Sequence, residues 1–302
     1  MAAALDAAAL SPSEIKACLG VDTAYADWKT IAAEKATLSP EVWRDACRQA
    51  RDANARRLSL TKTIRETGSS PLKVFEPSAR WIAKAQAASD PDLAKIFRLA
   101  FEAELPRVST SRSNSPITGG LSPLARKLYD GLLAVDAVAA DATNREWLRE
   151  AVARRGWFTI DRDGADADRA AWLIVQHADE DLAFKRRMIA LIEPLALAGQ
   201  SRKAAFPSMY DRWAAAAHEP QRFGLQGACK AKGVWEPLPI ADPEHIDAER
   251  LKFGIRQSFA DYKAQMSARC PWRIPACHLR HHVPQGERGL NSLLRVRPSF
   301  GV

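Results

Sequence analysis

Apolar positions recur along most of this chain at helical spacing. After Asp90, the residues Leu93, Ile96, Phe97, Ala100, Phe101 and Leu105 fall at i, i+3, i+4, i+7, i+8 and i+12, one stripe on an amphipathic helix of about three to four turns. Pro40 and Pro91 follow the N-cap candidates Ser39 and Asp90, the order in which a proline occupies the first helical position. No alternation of period two is sustained through residues 1–105, so that region reads as helical. Further helices are expected at 124–139, 144–155, 167–178, 182–198, 208–217, 243–253 and 257–266. In the fourth of these, Phe184, Met188, Leu191, Ile192 and Leu195 form the buried stripe, Pro194 suggests a kink or a new start, and Gly199 is the expected C-cap. In the sixth, Asp242 should cap, Pro243 should open the helix, and Gly254 should lie past its end. Residues 221–241 carry Gly224, Gly227, Gly233, Pro237 and Pro239 and read as a long irregular connection with a short strand at 234–236. The expected fold is mostly α and multi-helical: a helical N-terminal region and a helical C-terminal domain interrupted by one long irregular loop.

Composition sets the boundaries between these parts. Residues 106–123, PRVSTSRSNSPITGGLSP, hold five Ser, two Thr, two Gly and three Pro. Such a segment buries too little apolar surface to offset its ordering entropy, and it is the expected linker. The organisation is then 1–105 as a helical region, 106–123 as linker, 124–265 as the domain that carries a site, and 266–302 as a basic irregular tail. That tail has four prolines, three histidines and one acid. So sharp a change suggests either a disordered tail or an end read out of frame.

Overall, 47% of the 302 residues are hydrophobic and 26% charged, close to the average for a globular protein. At this length folding buries roughly three-quarters of the chain's surface, so no disulfide or metal is needed to hold it. No stretch reaches the roughly 18 apolar residues of a membrane span. The start, MAAALDAAAL, has no basic residue before its apolar run and includes Asp6, which makes a poor signal peptide. A cytoplasmic location follows as the expectation. With no export signal, the scattered cysteines Cys18, Cys47, Cys229, Cys270 and Cys277 are expected to be free thiols.

The formal net charge of +8 is unevenly spread. Residues 266–302 hold six basic residues against one acid. Between 41 and 65, Arg44, Arg48, Arg51, Arg56, Arg57, Lys62 and Arg65 face Glu41, Asp45 and Asp52. No aromatics interleave there for base stacking, so a solvated helix face is favoured over a nucleic-acid surface.

Candidate chemistry centres on AAWLIVQHADED, residues 170–181. Six apolar residues, Ala170 to Val175, run all round a helix, and Gln176, His177 and Asp179 arrive together at its far end. An imidazole there feels the negative end of the helix dipole and is biased toward its protonated form. It could bind an anion or act as a general acid or, with a carboxylate partner, as a general base. The plain alternative is a histidine satisfied by a backbone carbonyl, with Asp179 or Asp181 capping the next helix. Asp211 and Arg212 are adjacent, so they point different ways on a helix and should have separate partners. In QRFGLQG, residues 221–227, Gly224 permits positive φ, Phe223 anchors the loop, and Gln221 and Gln226 offer amides to a ligand. Asp247 and Arg250 are spaced as a surface ion pair. DRDGADAD, residues 161–168, lacks the glycine and glutamate positions of a calcium loop and reads as a polar turn. Cys270, Cys277, His278, His281 and His282 are spaced too widely for a usual structural zinc site. Phosphate loops, G-x-S-x-G and H-E-x-x-H are absent, which argues against the enzyme classes that use them.

Taken together, GWFT at 156–159, AWLIVQHAD at 171–179, the Asp211–Arg212 pair, QRFGLQ at 221–226, Pro239–Ile240 with Ala241–Asp242, and Asp247 with Arg250 before Gly254 resemble the bacterial domain-of-unknown-function 6624 family. The resemblance covers roughly residues 124–265. That family usually shows Q-x-Y-G-T-Q, where this chain has Phe223 and Leu225 in place of the two hydroxyl residues. The resemblance implies a site without naming a reaction. It points to Gln176, His177, Asp179, Asp211, Arg212, Gln221, Gln226 and Arg250.

The sequence thus leads to a polar pocket for a small polar or anionic molecule. His177 and Asp179 are its candidate catalytic pair, Arg212 its anion clamp, and Gln176, Asp211, Gln221, Gln226 and Arg250 its binding residues. No cofactor or metal is expected. The rival readings are a helical module that binds a protein partner and, with less support, nucleic-acid binding through residues 41–65.

Overall fold

A computed structural model describes residues 12–20, 29–110 and 116–270. The described residues up to Thr143 form one compact unit and those from Asn144 onward a second. Most of the chain is helical, as its periodicity predicts.

The first unit contains α1 (Pro12–Leu19), α2 (Lys29–Lys35), α3 (Pro40–Thr67), α4 (Glu76–Ala87), α5 (Pro91–Val108) and the start of α6 (Pro123–Arg155). The caps fall where the sequence places them. Ser39 Oγ accepts the Val42 amide, and Asp90 accepts the amides of Asp92 and Leu93. Of the stripe on α5, Ile96, Phe97, Ala100, Phe101 and Leu105 are buried, while Leu93 is half-buried. The helix is longer than its stripe because Pro106 sits inside the last turn and the helix runs on to Val108. Of the expected linker 106–123, residues 106–108 complete α5, 111–115 lie outside the described residues, and Ile117, Thr118 and Leu121 are buried.

The basic face of α3 is tied up within its own unit. Arg44 pairs with Glu41, Arg48 with Asp45 and Asp52, Lys62 with Glu66, and Arg65 with Glu102. Arg51 donates to the Cys18 carbonyl and Arg56 to that of Ile117. Arg57, 3% exposed, holds Asn54 and Asp136.

In the second unit, α6 continues through the break expected between 139 and 144, where Asn144 is buried rather than exposed at a turn. Then come α7 (Ile160–Asp163), α8 (Ala165–His177), α9 (Leu182–Leu197) and α10 (Phe206–Ala217). Pro194 does not break α9, which is continuous to Leu197. The irregular connection contains a hairpin, with β1 (Gly227–Ala231) antiparallel to β2 (Val234–Pro237), so the expected strand is present. A bridge from Gln221 to Ile240 closes the base of this excursion. The chain ends its described course with α11 (Ile246–Lys252) and α12 (Phe259–Ala268). Helix α11 starts three residues later than expected. Asp242 spends its carboxylate on the amide and ring of His245, so residues 243–245 turn instead of coiling.

The cysteines correct the sequence reading. Cys18 is bonded to Cys47, and Cys229 to Cys270. They are not free thiols, because folding brings together residues 29 and 41 positions apart, a closeness that spacing along the chain does not reveal. Cys277 and the tail histidines lie outside the described residues. Among the described residues, no group of side chains is arranged to hold a metal ion, and no helix is long and apolar enough to cross a membrane.

Candidate functional site

Helix α8 delivers its polar end as the sequence predicts. Ala170, Ala171, Leu173, Ile174 and Val175 are buried, with Trp172 half-buried. The apolar turns fix the helix in the core, so its last residues, Gln176 and His177, emerge half-buried at one place. Asp179 follows in the turn before α9. It does not cap that helix. Asp181 does, accepting the Phe184 amide at 2.8 Å.

Asp179 is instead the centre of an ion cluster. Lys185, on the first turn of α9, has a fully buried side chain and donates to Asp179 Oδ1 at 2.7 Å. The same ammonium donates to the Gln176 carbonyl at 2.9 Å, tying the end of α8 to the start of α9. Arg212, from α10, donates through Nε to Asp179 Oδ1 at 3.0 Å and through a terminal nitrogen to Oδ2. Burial would raise the Asp179 carboxyl, but the Arg212 hydrogen bonds and the Lys185 charge outweigh it and hold the group well below the usual carboxylate range. Such a carboxylate is a poor proton acceptor. Its chemistry here is to fix two cations.

The next residue back, Asp211, faces a different partner set, as the helix geometry requires. Its side chain is fully buried. Oδ1 accepts the amides of Arg222 at 2.9 Å and Phe223 at 3.1 Å, and Oδ2 accepts that of Leu225 at 2.8 Å. Burial pushes the carboxyl up to about 6, against the lowering effect of these three amides and of the Arg250 charge. Gln221, 1% exposed, donates its amide to the carbonyls of Gln226 and Leu238, while its side-chain oxygen accepts the Gln226 amide. Arg250 is no surface residue. It is 1% exposed and donates to the carbonyls of Phe223 and Gln257, while Asp247, 3.9 Å from its Nε, accepts the Phe259 amide.

These three side chains make one device, which satisfies the backbone of the loop 221–226 and shapes it. Phe223 is the apolar half of that device. It is fully buried and meets Phe206, Tyr210 and Phe253 edge-on. Gly224 has φ +70°, and a Cβ there would lie 2.5 Å from the Phe259 ring, so the residue is required to be glycine. Gln226 lies on the loop's half-buried rim.

The structure therefore groups the sequence candidates in two. Arg212 and Lys185 meet on Asp179, and Lys185 also holds the Gln176 carbonyl. Asp211, Gln221 and Arg250 hold the loop that ends in Gln226. The two groups are joined through the neighbouring positions 211 and 212. Lys185 was missed by sequence reasoning, because within FKRRM it reads as one of three solvated bases. Arg222 was missed as well. It pairs with Glu193 and Glu249 and lies over the Tyr210 ring.

One cleft of about 660 Å³ is lined by residues of α1–α3 that include Lys35, Trp43 and Arg51. Another, of about 510 Å³, is bordered by Arg222, Asp242, His245, Glu249 and Lys252. The ion cluster lines neither of these two clefts.

Residues 130–265 match the model of DUF6624, a family of unknown function. No curated protein and no solved structure matches the chain.

Proposed function

We propose that the segment 124–265 binds a small anionic molecule at the end of α8, with Arg212 as the clamp. One observation supports this reading: two cations, one of them fully buried, converge on the carboxylate of Asp179 at the end of α8. The Arg212 side chain is 30% exposed while engaged, and a guanidinium is the group best shaped to meet a carboxylate or phosphate side-on. His177, at the negative end of α8, adds a second donor to such a ligand and is the residue placed to hand it a proton. Asp179, held ionised, orients Arg212 rather than taking part in proton transfer. Gln176 and Gln226 supply neutral hydrogen bonds.

The test is a thermal-shift and calorimetric titration of the full chain with inorganic phosphate and with a panel of small carboxylates. The wild type should be stabilised by at least one of them. Arg212→Gln should bind it at least about tenfold more weakly, the loss of roughly one charge-assisted hydrogen bond. His177→Ala should bind more weakly only below the pH at which the imidazole loses its proton. Equal responses from wild type and Arg212→Gln would overturn the assignment.

A further inference from the structure

The two disulfides point beyond the anion site. Each joins a short helix or its end to the body of its unit. Helix α1 has eight residues, and Cys18–Cys47 fastens it to α3. Helix α12 has no buried residue within its span, and its neighbour is a two-stranded hairpin, a unit of marginal stability by itself. What holds α12 to that hairpin is a short set of contacts. The Trp235 amide donates to Ser267 Oγ at 3.1 Å, the Tyr262 ring packs edge-on against Trp235, and Cys270 is bonded to Cys229. Tyr262 also donates to the Leu225 carbonyl at 3.2 Å, so the same helix braces the loop shaped by Asp211. The Cα separations of 5.1 and 5.5 Å lie within the range a disulfide spans without moving the backbone. Cys18, Cys47 and Cys270 are 4%, 3% and 6% exposed. Cys229 is half-buried, but both residues of the Cys18–Cys47 pair are enclosed and out of reach of an oxidant once the chain has folded, so that bond must form while it folds.

We infer that this chain is a substrate of oxidative folding and matures in an oxidising compartment, where a dithiol–disulfide oxidoreductase closes Cys18–Cys47 and Cys229–Cys270. In a reducing cytosol both pairs would stay as thiols, and α1 and α12 would lose their staples. For each pair, one thiolate of the chain attacks a sulfur of the oxidant's disulfide to give a mixed disulfide. The partner thiolate then displaces the oxidant, which leaves as its dithiol. The chain gives up two electrons and two protons per bond, and the oxidant's disulfide takes both. The inference is independent of the anion site and is the alternative to the cytoplasmic location expected from the sequence.

The test takes the full chain from cells that naturally produce it, quenched in acid and alkylated in denaturant before and after reduction, with the labels counted by intact mass. One label, on Cys277, is expected before reduction and five after it. Three or five labels before reduction would overturn the inference. Peptide mapping should recover the pairs 18–47 and 229–270, and any other pairing overturns it equally. In a second measurement, the double variant Cys229→Ser/Cys270→Ser is produced by export through an oxidising compartment. Its thermal midpoint should fall by roughly 5–10 °C, and wild type treated with dithiothreitol should fall at least as far. An unchanged midpoint in both would show that the bonds are dispensable and sink the proposal.

Discussion

At the scale of single residues, Lys185 is the most consequential side chain in the second unit. A buried ammonium is tolerated only while its partner stays charged. Asp179→Asn keeps the shape of the partner and removes its charge, so it should cost about 3 kcal/mol or more in chemical denaturation. Lys185→Met, which removes the buried charge and keeps the apolar stem, should cost clearly less. The double variant Asp179→Asn/Lys185→Met should be more stable than the sum of the two single losses predicts. If both single variants lose the same small amount, the pair is not the cluster's keystone. This residue also marks the limit of what the sequence discloses. His177 at the end of an oily helix was legible because Ala170–Val175 are apolar on every face. Lys185 was not, because its burial is set by Gln176 and Asp179 across a turn and by Arg212 from a helix whose place in the fold no local pattern encodes.

At the scale of elements, the starts of α3 and α5 were readable to the residue. A side-chain acceptor followed by proline is a local device, and Ser39–Pro40 and Asp90–Pro91 need nothing from the rest of the fold. The division of α6 into two helices was misread for the opposite reason. The gap expected at 140–143 is helical, and Asn144, the expected start of a second helix, is buried inside α6. The loop 221–226 lies between these cases. Gly224 correctly signalled positive φ, and Phe223 an anchor. The use of Gln221 and Arg250 as internal partners for backbone carbonyls was hidden, because a glutamine offered to a ligand and one offered to the chain are written alike. Gly224→Ala should therefore destabilise the second unit by about 1–3 kcal/mol, through a strained φ and displacement of the Phe259 ring. Tyr262 fluorescence transfer to Trp235 should weaken in the same variant as α12 shifts. An unaltered signal would mean that Phe259 yields without moving its helix.

At the scale of the whole molecule, buried carboxylates give stability opposite dependences on pH, Asp211 and Asp179 most clearly. Asp168, raised by burial, acts in the same sense as Asp211. Asp211 has its carboxyl raised to about 6 in the folded chain, above an unfolded value of about 4. The folded state then binds the proton more tightly, so this contribution is greatest below about pH 4 and is lost as pH rises to 6. Asp179 is lowered in the folded chain. Its contribution is in place above about pH 4 and is lost as pH falls further. Urea melts between pH 3 and 7 should therefore show stability dropping on both sides of a maximum between roughly pH 4 and 5. Asp211→Asn should flatten the limb toward pH 6 and leave the acid limb. If that limb persists in Asp211→Asn, another group is responsible for it.

The hairpin has one more consequence. A ribbon of two strands has an outer rim on each side, and bare rims invite extended segments of other molecules to stack on and grow into fibres. Helix α12 covers the β2 side, where Ser267 accepts the Trp235 amide. Here β1 carries the exposed Lys230, and Lys232 stands in the turn beside it. An incoming strand would have to bury or crowd those ammonium groups, so this small sheet discourages such growth.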